Sequence, residues 1–136
     1  MSKKRIEDFI KPALALIPDH LEEGGKVDKV YKGYISSMGA AMIQSGVLPT
    51  LAIFSAKESG AEGQRWKLLR ILTEMLRQNG YDMLPALTAQ DKDSENRLLR
   101  FATDHQNHAA TLLKLRRDLM DASVALKLTL RTFNLK

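Results

Sequence analysis

Arg116, Arg117, Lys127 and Arg131 are spaced so that, at about 100° per residue, they share a sector of roughly 100° on one helix. Guanidinium and ammonium groups arrayed along a helix suit a phosphate backbone. The same spacing also suits long side chains that merely cover apolar surface while their charges stay in water. A second cluster, Asp104, His105 and His108, combines two imidazoles three residues apart with a carboxylate, a set able to bind zinc. It has no obvious fourth ligand, and a polar helix boundary is the plainer reading. Lys67, Arg70 and Arg77 form a smaller basic strip, interrupted by Glu74, that reads as a solvated face.

The rest of the inventory is poor in chemistry. With no cysteine, disulfides, thiolate nucleophiles and cysteine-bearing zinc sites are excluded. The only histidines are His20, His105 and His108, and none stands in a setting that would activate a serine. Ser59 to Gly63 is too short for a phosphate-cradling loop and lacks the following lysine. No carboxylate pair lies in an apolar stretch that would tune it for acid–base work. The reading is a protein that is not an enzyme, with no cofactor and no metal.

Charge is unevenly distributed. Residues 1–96 hold 13 basic and 13 acidic side chains, whereas residues 97–136 hold 8 and 3, so the whole net charge of +5 falls in the last forty residues. A localised positive surface is what a polyanionic partner requires.

The elements that must position these cations are helical. Ile6, Phe9, Ile10, Ala13, Leu14 and Ile17 recur at three- and four-residue steps, predicting a helix over 3–17 with Pro18 near its end and Ser2 as a cap. After a polar turn at Gly24-Gly25, the spacing predicts a second helix over 27–45, closed by Gly46. Its opposite face carries Gly33, Ser36, Ser37, Gly39 and Ala40, small residues that let another backbone approach closely; we expect tight packing within the molecule, with a docking surface as the alternative. Pro49 suits the first turn of a short buried helix over 47–54. Residues 64–78 restore the helical period, 81–88 are ambiguous, and Asp91 to Ser94 offers caps for a short helix around Leu98 and Ala102. In the last helix Leu112, Leu115, Leu119, Ala122, Leu126, Leu130 and Phe133 fall in one narrow sector beside the basic one. Strand alternation and internal repeats are not evident. The predicted fold is all-α, a compact five- to six-helix bundle forming a single helical domain over 1–136. Glu7, Asp8, Lys11 and Pro12 interrupt the N-terminal apolar stretch, so no export signal is expected, and no run is long enough to span a bilayer.

Tyr34-Ile35-Ser36-Ser37, followed by the run from Gln44 through Gly46-Val47-Leu48-Pro49 to Leu51-Ala52-Ile53-Phe54, resembles the small helical subunit of the type III-B CRISPR effector, the Cmr complex. His108-Ala109-Ala110-Thr111-Leu112-Leu113-Lys114-Leu115-Arg116-Arg117 is similar to that family's penultimate helix, which ends in a basic pair. The chain departs from the family at Ala40-Ala41-Met42, where a proline is frequent, and at Lys114-Leu115, where a tryptophan is usual. The resemblance implies a structural subunit in antiviral defence that stacks along a ribonucleoprotein, packs against its repeating backbone subunit and further copies of itself, and helps hold guide RNA and target RNA. Cleavage would belong to the backbone subunits, and the location would be cytoplasmic. It singles out Arg116 and Arg117 for RNA contact; Lys127 and Arg131 join them by the helical wheel, with Lys26, Lys29 and Lys32 as weaker candidates. The alternative is a helical protein–protein adaptor that never touches RNA.

Overall fold

A computed structural model describes residues 3–55, 65–81, 84 and 97–133. Among them are six helices: α1 (Lys3–His20), α2 (Val30–Ser45), α3 (Val47–Ser55), α4 (Arg65–Arg77), α5 (Arg97–Asp104) and α6 (Ala109–Leu130). The architecture is an all-α bundle, as the periodicity predicts. The caps expected at Ser2 and at 91–94, and the loop expected at 59–63, lie outside the described residues.

α6 is the hub. At about 1.5 Å per residue, its 22 residues run roughly 33 Å. It packs chiefly against α1, and also against α4, α2 and α3. Buried residues of all six helices join one apolar cluster, with Phe9 and Ile17 from α1, Met38 and Met42 from α2, and Phe54 from α3. Leu72 and Leu76 of α4 and Leu98 of α5 meet Leu119 and Leu126 of α6 in the same cluster.

Two expectations need correction. The second helix starts at Val30, not Val27, because Glu22–Glu23 (β1) and Lys26–Val27 (β2) pair as a minimal antiparallel hairpin. Gly24 and Gly25 form its turn at φ 59° and 79°, the left-handed pair that a two-residue hairpin needs. Val27 is buried from the hairpin, which is why it continues the apolar period of the helix that follows. Strands of two residues are too short to show alternation.

The second correction concerns the small face of α2. Gly33, Ser36, Ser37 and Ala40 are exposed and Gly39 is half-buried, so none of the described helices covers them fully. A methyl group placed on Gly33 or Gly39 would meet nothing within 4 Å. α2 turns its larger residues Tyr31, Tyr34, Ile35, Met38 and Met42 inward instead. Gly46 then ends it at φ 89°, donating its N–H to Met42 O, and reverses the chain into α3.

Candidate nucleic-acid interface

The last helix buries more than its apolar sector. Asp118, Asp121, Ala125 and Thr129 are enclosed along with the leucines, widening the buried arc to roughly 200° of the wheel. Both carboxylates of α6 therefore lie inside the protein. Asp118 is fully buried and ion-paired to Arg5 of α1. Its Oδ2 accepts the Tyr81 hydroxyl at 2.6 Å and Lys114 Nζ at 2.9 Å. Lys114 also stands over the Tyr81 ring at 4.7 Å. Burial, reinforced by the hydrogen bond to Asp118 and its negative charge, holds the Tyr81 phenol far above the usual tyrosine range. Asp121 receives no hydrogen bond among the described residues, but Arg5 Nε lies 3.4 Å from its Oδ2.

With those acids inside, the charged side chains that face outward from α6 are all cations. Arg117 and Arg131 are exposed, and Arg116 and Lys127 are half-buried. The structure thus brings all four predicted residues to the side of α6 away from the core. Lys127 Nζ donates to Ser36 Oγ of α2 at 2.8 Å, tying the cationic side to the small face of α2. α2 contributes Lys32 and no carboxylate of its own.

The cations do not stand alone. Leu113 is 64% exposed, and with Met120 and Val124 it lies between them on the wheel. Two depressions follow this line. One, of about 160 Å³, lies between α2 and α6 and is lined by Ile35, Gly39, Met120, Val124 and Lys127 among others. The other, of about 250 Å³, is lined by Leu113, Arg116, Arg117, Met120 and Asp121. Met120 borders both, so they form one amphiphilic track.

The model of one protein family, CRISPR-associated protein (Cas_Cmr5), matches residues 5–130, a span that runs from the first turn of α1 to the last residue of α6. The chain belongs to that family. It is accordingly a small subunit of the type III-B CRISPR effector, part of a multi-subunit machine of antiviral defence. No curated protein and no solved structure matches at a significant level.

The Cas_Cmr5 match includes the network that sequence reasoning missed. Arg5 and Asp118 are 113 residues apart, and nothing in periodicity pairs them. A usable signal existed: Asp118 falls about 60° from Leu115 at 100° per residue, at the edge of the apolar sector, where a carboxylate needs a partner.

The remaining candidates of this Cas_Cmr5 chain separate clearly. His105 lies in the turn after α5, with its Nδ1 2.8 Å from Phe101 O, and His108 stands just before α6. Their rings meet edge to face at 5.8 Å, the geometry of a helix boundary. Among the described residues no group of three His, Asp or Glu is arranged to hold a metal ion. Lys26 and Lys29 are exposed on and beside β2, off the α6 track. The α4 strip is not simply solvated: Arg77 Nη1 lies 3.7 Å from Glu74, while Arg70 and Lys67 approach the ring of Trp66. No described helix is long and apolar enough to cross a membrane.

Proposed function

We propose that this Cas_Cmr5 protein is a cytoplasmic, non-catalytic structural subunit, folded as one domain. It stacks with further copies of itself along the backbone subunit and holds guide and target RNA through Arg116, Arg117, Lys127 and Arg131. One observation carries this reading: α2 and α6 together contain two carboxylates, both buried, so the charged side chains that reach their outward surface are all cations. Such a surface attracts a polyanion along its length, and each phosphate it neutralises releases counterions. A single copy would bind weakly, and several copies stacked along one strand would multiply that affinity.

The adaptor reading is favoured by a different observation, the apolar floor of the track. Phosphates gain nothing from Leu113, Met120 and Val124, whereas a protein partner gains burial there, and the open glycines of α2 would let its backbone approach.

Titrating labelled single-stranded RNA with the wild type and an Arg116→Ala/Arg117→Ala/Lys127→Ala/Arg131→Ala variant separates the two. Circular dichroism would verify that both are helical. RNA contact predicts affinity that falls linearly in log salt, with a shallower slope in the variant. A salt-insensitive association with partner subunits, unchanged in the variant, would favour the adaptor.

A further inference from the structure

We propose that Ser36 of α2 and Lys127 of α6 clamp one phosphate of the RNA backbone, Ser36 both donating to that phosphate and positioning Lys127. This inference rests on the RNA reading above and adds α2 to the surface that meets the strand.

Hydroxyls inside helices commonly donate to the carbonyl four residues back. Thr50, Thr73, Thr103, Ser123 and Thr129 all do so, at 2.6–2.8 Å. Ser36 does not. Among the described residues its Oγ has one hydrogen-bond partner, Lys127 Nζ, from which it accepts at 2.8 Å. A hydroxyl that accepts from an ammonium keeps its own proton to donate, and the ammonium has further N–H groups to give. The pair therefore presents donors only, which suits a group that only accepts, such as a phosphate oxygen.

The surroundings are open and free of opposing charge. Ser36 is exposed, and Lys127 is half-buried along the depression that Ile35, Gly39, Met120 and Val124 line between α2 and α6. Gly33 and Gly39 flank Ser36 at about 60° to either side on the wheel, and a methyl group on either would meet nothing within 4 Å. Lys32 stands one turn before Ser36 on the same side of α2. α2 has no carboxylate and both of those on α6 are buried. A lysine fixed on a ligand loses side-chain entropy, and one already held by Ser36 loses less. Lys127 also shares its side of α6 with Arg116, Arg117 and Arg131, so a chain of phosphates can run on from this clamp, whereas a single protein carboxylate would end there.

The test is anisotropy of labelled single-stranded RNA with the full-length protein over a salt series, for wild type, Ser36→Ala, Ser36→Thr, Lys127→Met and the Ser36→Ala/Lys127→Met double variant, each checked for folding by circular dichroism. Ser36→Ala should weaken binding roughly fivefold and Lys127→Met roughly tenfold, and the double variant should lose less than the product of the two. The salt slope is the sharper readout. Ser36→Ala removes no charge, yet by releasing Lys127 it should make the slope of log affinity against log salt shallower by up to roughly 0.7, one phosphate on a single strand, and Ser36→Thr should restore it. Unchanged affinity and slope in Ser36→Ala overturn the proposal, and if Lys127→Met still weakens binding the α6 reading survives. Single losses that multiply fully in the double variant make Ser36 an independent contact and overturn the clamp. Polyglutamate that displaces labelled RNA from the wild type as well as unlabelled RNA does would give the pair to an acidic protein partner instead. No RNA binding at low salt sinks both this inference and the reading beneath it.

Discussion

The hydroxyl of Tyr81 donates a 2.6 Å hydrogen bond to Oδ2 of Asp118, locking the segment after α4 onto the middle of α6. Arg5 of α1 pairs with the same carboxylate, so one buried charge joins three parts of the chain. Removing it would leave the phenol without its acceptor. Asp118→Ala should lower unfolding free energy by about 3 kcal/mol, and Tyr81→Phe by about 1 kcal/mol, in urea titrations. The lower end of the range for buried pairs applies because Arg5 is 35% exposed and can turn to water.

The same bond predicts a pH dependence. The folded phenol titrates above its unfolded value, so its contribution to stability is fully present below about pH 10 and is lost as pH rises beyond it. Urea midpoints should therefore fall in strong alkali, and less steeply in Tyr81→Phe. Absorbance titration of the folded protein should show a tyrosine ionising well above the ordinary range, a step absent from that variant.

Glu74 and Arg97 form a second buried pair, joining α4 to α5. Glu74→Ala removes one carboxylate from a guanidinium that is 2% exposed, which should cost about 3 kcal/mol. Glu74→Leu combined with Arg97→Met replaces both charges by apolar groups and should recover most of that loss. Thermal unfolding of the single and double variants checks it.

Gly46 and Gly39 should respond oppositely to alanine. Gly46 sits at φ 89° and ψ 176°, a region only glycine occupies readily, so Gly46→Ala should cost about 1–3 kcal/mol. Gly39 is helical and a methyl there meets nothing within 4 Å, so Gly39→Ala should stabilise by roughly 0.5–1 kcal/mol. If the open face of α2 seats a neighbouring subunit, Gly39→Leu should leave the isolated chain folded yet weaken its co-purification with the complex.

What the sequence made legible was what depends on local period. α4 and α6 lie where leucine spacing puts them, Gly46 caps where a glycine was needed, and the four cations share a side of α6 because the wheel is geometry. Illegible were relationships between distant residues. The Arg5–Asp118 pair required knowing that α1 lies along α6, and the open small face of α2 required knowing which described helices leave it uncovered. The apolar track through Leu113, Met120 and Val124 was hidden for a third reason. Its residues are hydrophobic, and only the packing of α6 shows which hydrophobes the core leaves outside.

The central claim, that the cationic side of α6 meets RNA, is tested most directly by photocrosslinking the assembled effector with guide and target RNA bound and mapping adducts on this chain by mass spectrometry. The account predicts adducts on α6 peptides spanning Arg117 to Arg131, lost in the fourfold alanine variant while that variant still assembles. Adducts absent from α6, with those peptides instead crosslinked to a neighbouring protein subunit, would contradict it.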